Sequence, residues 1–293
     1  MKLGLGTVQF GMDYGITNHA GQPSRQAVGA ILEHAAAHGV RVLDTACQYG
    51  GSEEILGSLL PPDHPFRIVT KTPAFSGAAI TPQDADHLEA TFSTSLAKLR
   101  ARRLHGLLIH SAKDLAKPGG ERLFERMQRL QQRGQVERIG VSVYSAGELA
   151  GILDRFPVGL VQTPVNILDQ RWLAGELPAR LRALGVEVHA RSIFLQGVLL
   201  SDPDTLPPCY ASVRPHLRTL RAAILERGLT PLSAALCFVR DLEWVDVTLC
   251  GVVDLEQLRP ILAACGESFD SAFLRRFAWG DEAILNPSLW VLS

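Results

Sequence analysis

The sequence predicts an α/β protein of the (β/α)8 TIM-barrel class, and three observations carry that expectation. Short apolar runs alternate with amphipathic stretches along the whole chain. Most of the runs are rich in Val, Leu or Ile on both faces, as parallel strands covered by helices are. Polar residues recur at the ends of runs spread over the full length, where the active sites of such barrels form. A doubly wound open sheet is the competing arrangement. Against it, Gly4-Leu5-Gly6 lacks the rest of a G-x-G-x-x-G fingerprint and its ribose-binding acid. No linker, repeat or low-complexity tract interrupts the pattern, so residues 1–293 are expected to form one domain.

In order, the first strand is expected at residues 3–7. Ser24 then caps a helix running to His38, with Gly39 as its stop. The second strand is expected at 40–44, followed by a helix opened by Ser52-Glu53-Glu54, whose acids suit a helix N-terminus. A third strand at 67–71 precedes a helix begun by Thr81-Pro82, a cap followed by proline at the first helical position. Strands at 106–110, 138–142, 160–162, 187–191 and 245–250 alternate with helices at 121–133, 146–155, 176–184, 216–228, 231–240 and 255–264. The connection from about 194 to 208 is long and ends in prolines, as functional lids often do.

Composition narrows the function classes. With 46% hydrophobic residues in 293, the chain is long enough for a large core. A formal net charge of -1 offers no field for nucleic acid or an anionic membrane. The one basic cluster, Arg100, Arg102 and Arg103, reads as a solvated helix end. Five cysteines without C-x-x-C spacing argue against a disulfide framework and a zinc site, so no metal is expected. No segment reaches the ~20 apolar residues that span a bilayer, and no secretory leader is visible in Met1-Lys2-Leu3-Gly4-Leu5-Gly6. A cytoplasmic protein is the expectation.

Four groups stand at or just past the ends of three successive strands: Asp44, Tyr49, Lys71 and His110. Each alone has a structural reading: a turn cap, a rim aromatic, a solvated lysine, a hydrogen-bonded histidine. Together they suit proton transfer. An ammonium beside a phenol lowers the phenol pKa from about 10. Asp44 would anchor Lys71, and His110 would orient a carbonyl oxygen beside Tyr49. Such a set protonates an alkoxide as hydride arrives, and the hydride must come from a cofactor. Lys71 could equally serve as a Schiff-base amine.

These residues make the chain resemble the aldo-keto reductase superfamily over essentially its full length. Asp44, Tyr49, Lys71 and His110 match its tetrad, with D-T-A-x-x-Y-G intact as Asp44-Thr45-Ala46-Cys47-Gln48-Tyr49-Gly50. Leu3-Gly4-Leu5-Gly6-Thr7 is similar to its first barrel strand. The resemblance implies reduction of aldehydes or ketones with NADPH, less often NADH, or oxidation of the corresponding alcohols, with Tyr49 as general acid. It also implies that Gly6, Thr7 and Asp44 border the cofactor. Ser142, in Ile139-Gly140-Val141-Ser142, and Gln162 resemble the residues that hold the nicotinamide carboxamide, with Asn166 nearby. Val143 stands where many members have Asn. Arg191 aligns with an aromatic residue that stacks under the nicotinamide. Ser192, Phe194, Gln196 and Gly197 resemble the loop that clasps the pyrophosphate.

At the adenosine end, NADPH-using relatives carry Lys, Ser and Arg, whereas this chain has Gly251, Val252 and Gln257, with Asp254 beside them. NADP is the expected cofactor and NAD the alternative. The resemblance further implies a barrel without the N-terminal hairpin of many relatives, so its floor is expected to be closed by Phe10 or a C-terminal segment. The segment Thr7-Val8-Gln9-Phe10-Gly11-Met12-Asp13-Tyr14-Gly15 resembles a bacterial subgroup sometimes associated with sugars. Tyr14, Phe75, the loop 111–117, Phe194 and residues 286–290 are candidates for the substrate wall. A Schiff-base lyase or aldolase using Lys71, and a cofactor-sensing binding protein with little turnover, stay open as alternatives. The partner expected is a small carbonyl or sugar-like substrate, and the oligomeric state is left open.

Overall fold

The structure is a computed structural model and describes residues 2–290 apart from His19 and Ala174. Eight parallel strands close into a barrel in chain order. They are β1 (Leu3–Gly6), β2 (Val42–Asp44), β3 (Arg67–Lys71), β4 (Leu104–Ile109), β5 (Val136–Ser142), β6 (Leu160–Pro164), β7 (Glu187–Arg191) and β8 (Val247–Gly251). Closure comes from β1 pairing with β8, Leu3 opposite Thr248 and Gly6 opposite Gly251. Around them lie α1 (Val8–Gly11), α2 (Arg25–Ala37), α3 (Ser52–Leu59), α4 (Pro82–Lys98), α5 (Lys113–Ala116), α6 (Glu121–Gln132), α7 (Ala146–Leu153), α8 (Leu177–Ala183), α9 (Arg214–Leu225), α10 (Pro231–Arg240), α11 (Leu255–Ala264) and α12 (Glu282–Leu285).

The caps follow from the sequence. Ser24 accepts from Ala27 N, and Thr81 and Asp84 form a reciprocal capping box at α4. Apolar residues at helical spacing, such as Leu123, Phe124, Met127 and Leu130 of α6, face the sheet. Inside the barrel, Val42, Val69, Leu108, Leu160, Val247 and Leu249 form a second buried cluster. Gly106 makes room for it. A Cβ there would lie 2.6 Å from Leu160 Cδ2 and 3.1 Å from Val69 Cγ1, side chains of strands that are not neighbours.

Several boundaries differ from expectation. β5 starts two residues earlier than 138, because Leu104 N bonds Gln135 O and Leu104 pairs with Val136 at the barrel floor. β4 ends at Ile109, leaving His110 just past the ladder. β8 begins at Val247 rather than 245, where Val245 is still held by Leu242 O. The connection after β7 holds three short 3-10 turns, Leu195–Gly197, Pro203–Thr205 and Pro208–Tyr210.

The floor is not closed by Phe10. That residue is buried on α1, which follows β1 and therefore lies beyond its C-terminal end. A polar network fills the floor instead. His105 of β4 contacts Glu187 of β7 at 3.0 Å, across strands that are not neighbours, and Glu137 at 3.0 Å through its other nitrogen. His189 Nε2 stands 2.8 Å from Glu187, and Arg138 Nε 2.9 Å from it. Burial works against the Glu187 carboxylate, but the two imidazoles outweigh it and hold its pKa far below the usual range. One carboxylate with three nitrogen partners replaces apolar filling here.

The barrel wall allows a sharp test. A Cβ on Gly140 would stand 1.6 Å from Leu160 O, a backbone atom that cannot move without breaking the β5–β6 ladder. Gly140→Ala is expected to cost about 3 kcal/mol or more in urea unfolding. Gly147→Ala, with open space on the exposed face of α7, should be neutral or stabilising by roughly 0.5–1 kcal/mol.

Candidate active site

The C-terminal mouth of the barrel gathers the four groups the sequence singled out. Asp44 ends β2 opposite Val69, and Lys71 ends β3 two residues further on along the same face, so its side chain meets the carboxylate inside the barrel. Lys71 Nζ donates to Asp44 Oδ1 at 2.7 Å, Oδ2 at 2.8 Å and Thr45 O at 2.9 Å. Both are nearly inaccessible, at 2% and 5% exposure, so each charge is costly without the other. Gln162 of β6 adds a donor to Asp44 Oδ1 at 2.7 Å from across the barrel.

Tyr49 comes from the turn after β2. Its position depends on two glycines. Gly50 has φ +55, and a Cβ there would lie 2.2 Å from Gly11 O; a Cβ on Gly11 would lie 1.9 Å from Tyr49 O. Glycine alone tolerates both the left-handed backbone and the close approach. Beneath the turn, Ser52 Oγ donates to Thr7 O at 2.9 Å and meets Thr7 Oγ1 and Thr45 Oγ1, tying α3 to the first two strands. Lys71 Nζ stands 4.8 Å from the Tyr49 ring centroid. The His110 ring meets Tyr49 edge-on with centroids 5.9 Å apart.

The electrostatics differ from the sequence expectation in one respect. Burial pushes the Tyr49 phenol up, and the Lys71 ammonium pulls it down without overcoming that. The phenol therefore stays protonated at neutral pH. Lys71 loses from burial, yet Asp44 and Tyr49 together raise its pKa above the ordinary lysine range. His110 is lowered to about 4, first by burial and then by Lys71. It is a neutral imidazole at pH 7, and its Nδ1 is buried without a partner.

These residues form one end of a cleft of about 600 Å³, within the size range of small-molecule sites. The cleft continues past Ser142, Gln162, Arg191, Ser192, Phe194, Gln196 and Gly197 to Gly251 and Gln257 at the start of α11, and Gly6 and Thr7 border it. Two expected positions lie differently. Val252 is buried in the apolar core rather than on the cleft. Asp254 is the N-cap of α11, where its Oδ1 accepts from Gln257 N at 2.8 Å, so its carboxylate already has a structural duty. Gln257 in turn accepts from Val253 N. Asn166 is buried away from the cleft and donates to Ser192 O, holding the loop after β7.

Of the substrate-wall candidates, Tyr14 and Phe194 line the cleft. Phe75 packs against His87, and Lys117 pairs with Asp114 and reaches Phe75 O, away from the cleft lining. Trp290 packs on Tyr210. Sequence reasoning missed Gln9, Tyr144 and Glu256, which also line the cleft. They sit in turns or on a helix shoulder, where spacing carries no signal.

The loop after β7 is the most strained segment. Ser192, Leu195 and Gln196 all have positive φ without being glycine, each a conformation that costs energy and clusters at functional sites. It is clamped to the loop after α1: Gln196 Nε2 meets Tyr14 Oη at 3.1 Å, and Thr17 Oγ1 donates to Gln196 O at 3.0 Å.

The sequence profile of the Aldo/keto reductase family matches residues 2–278, and the chain belongs to that family. Among individual proteins, aflatoxin B1 aldehyde reductase member 2 of Homo sapiens is 34% identical over 156 residues. That match spans 50% of this chain and 39% of the human protein. In architecture the chain is similar to the aldo-keto reductase AKR11C1 from Bacillus halodurans in its holo form. The TM-score is 0.74 at 18% identity, over 99% of this chain and 94% of that one. A putative aldo-keto reductase from Pseudomonas aeruginosa gives 0.67 at 21%, over 90% and 88%.

The half-buried imidazole of His110 generates a pH expectation. The folded pKa of His110 is about 4, against about 6.5 for a free histidine. The unfolded chain then takes up a proton that the folded one refuses, so stability is lost as pH falls from about 6.5 toward 4. Thermal melts of the wild type should show that fall, and His110→Asn should show a smaller one over the same window.

Proposed function

We propose that this protein is an NAD(P)H-dependent oxidoreductase that reduces an aldehyde or ketone, or oxidises the corresponding alcohol or sugar, with Tyr49 as general acid. One observation carries the reading. A protonated, half-buried phenol stands over a sealed ammonium–carboxylate pair, beside a neutral imidazole, in a cleft of about 600 Å³.

The residues present fit a nicotinamide cofactor. The cleft runs from the tetrad, where His110 Nδ1 is unpaired, to Gly251, beside which Gln9 leaves its Oε1 unpaired, and there it meets the N-terminus of the ten-residue helix α11, a place suited to phosphate. Ser142, Arg191, Ser192, Phe194, Gln196 and Gly197 would hold it, with Gly251 and Gln257 at the adenosine end. NADP is the cofactor we favour by family and NAD the alternative. Glu256, the charged residue lining the α11 end, is unfavourable for a further phosphate. Bound there, the cofactor supplies a hydride to the carbonyl carbon.

The chain's own groups do the rest. Neutral His110 orients the carbonyl oxygen without contributing a charge. Tyr49 Oη gives its proton to that oxygen as negative charge develops, a contribution of roughly 10²–10⁴-fold in such steps. Lys71, fixed by Asp44, stabilises the phenolate that remains. Gln162 keeps Asp44 from turning away. The substrate is a small carbonyl or sugar-like molecule meeting the wall at Tyr14 and Phe194. We also infer one domain spanning the chain, a cytoplasmic protein, and no nucleic-acid or membrane partner. No described helix is long and apolar enough to cross a membrane.

The Schiff-base alternative loses support on physical grounds. Imine formation needs a free amine, and Lys71 is held protonated with three acceptors around its Nζ. Tyr49→Phe decides between proton donation and a merely structural tyrosine. Turnover of an aldehyde panel should fall by at least ~10²-fold, while NAD(P)H binding followed by fluorescence quenching stays within about twofold of wild type. Full activity in that variant would remove the mechanism.

A further inference from the structure

Arg191 is a half-buried cation without a carboxylate partner at the reacting end of the cleft. It ends β7 and lines the cleft beside the tetrad. Its guanidinium lies over the Tyr144 ring at 4.2 Å, donates from Nη2 to Val143 O at 3.2 Å and reaches Ser192 Oγ at 3.3 Å. Among the described residues, every partner of this guanidinium is neutral.

The other charges of the cleft do not balance it. Asp44 is neutralised by Lys71 at 2.7 Å. Glu256 sits on α11 at the opposite end and leans on Arg259 at 3.6 Å. The reacting end is left with one net positive charge. Its field reaches the chemistry, since Arg191 lowers the proton affinity of Tyr14, Tyr49 and His110 alike. A buried positive charge makes a neighbouring neutral or negative group welcome and a second positive group costly.

We propose that Arg191 sets the redox state of the nicotinamide that this cleft accepts, favouring the neutral reduced ring and penalising the positively charged oxidised one. The proposal rests on reading the cleft as a nicotinamide site. A hydride acceptor held by Tyr49 and His110 requires the nicotinamide to come to the tetrad, within the field of Arg191. The reduced ring is uncharged, and a guanidinium face stacks on it without penalty. The oxidised ring carries a positive charge and meets a like charge in a partly desolvated site. The same charge favours the alkoxide that develops on the carbonyl oxygen. Both effects make the cleft a taker of reduced cofactor and a quick releaser of the oxidised one.

The test is equilibrium binding, with no turnover involved. The purified protein is titrated with NADPH, NADP+, NADH and NAD+, following quenching of intrinsic fluorescence. In the wild type the oxidised member of the preferred pair should bind at least ~10-fold more weakly than the reduced one. Arg191→Gln should shrink that ratio by roughly tenfold, mainly by tightening the oxidised form, while Arg191→Lys retains it. Equal affinities in the wild type overturn the proposal whether or not any variant folds. A ratio that persists in a folded Arg191→Gln protein overturns it as well. Equal weakening of both redox forms in that variant also overturns it, because Arg191 would then be holding phosphate oxygens common to both. If none of the four nucleotides binds the wild type, the nicotinamide reading of the cleft falls, and the proposal with it.

Discussion

The ion pair between Lys71 and Asp44 is the constraint on which the mouth of the barrel depends. Two charges removed from water cost several kcal/mol each, and their attraction offsets that only when the geometry leaves no lone pair or proton unused. Here the ammonium has three acceptors, and the carboxylate takes a further donor from Gln162. The pair therefore joins β2, β3 and β6 from inside the barrel. It also fixes where a phenol can sit with an ammonium below its ring. Loss of one partner would leave a buried charge exposed to nothing, a penalty of about 3–5 kcal/mol, and would cost shape as well as chemistry.

Around that pair the molecule separates duties by height. The two histidines and Arg138 gather on Glu187 at the floor, the apolar cluster of Val42, Val69, Leu108, Leu160, Val247 and Leu249 fills the middle, and the tetrad occupies the mouth. Polar groups at both ends are satisfied by partners on other strands rather than by water. The dry middle layer keeps the two polar sets from sharing protons or partners.

Much of this was legible in the sequence. A barrel strand that ends in Asp, Lys or His declares the position of that side chain, because parallel strands in register must aim successive ends at one mouth. The caps Ser24 and Thr81 likewise announced their helices. Three things were not legible. Tyr144 and Glu256 reach the cleft by loop and helix geometry that no local spacing encodes. Asp254 read as a ligand-facing acid, but an acid before a helix is chemically suited to both duties, and capping won. The direction of the Tyr49 shift turned on burial, which a string of residues does not display, and the nearby ammonium was outweighed. The floor was misread for a related reason. His105, Glu187 and His189 are dispersed over some eighty positions and meet only because β4 and β7 face one another across the barrel.

That floor has a consequence for how the protein can change. Its partners are all donated by strand starts, while every loop that shapes the cleft is donated by strand finishes. Substitutions at the two ends are separated by a packed apolar layer, and separated sites alter stability nearly additively. Loop segments around Tyr14, Tyr144 and Phe194 can therefore be lengthened, shortened or grafted with little interference from the staves that keep the barrel shut. In engineering terms the molecule is a fixed chassis with an exchangeable head, and new selectivity can be sought at one end while reserve stability is installed at the other.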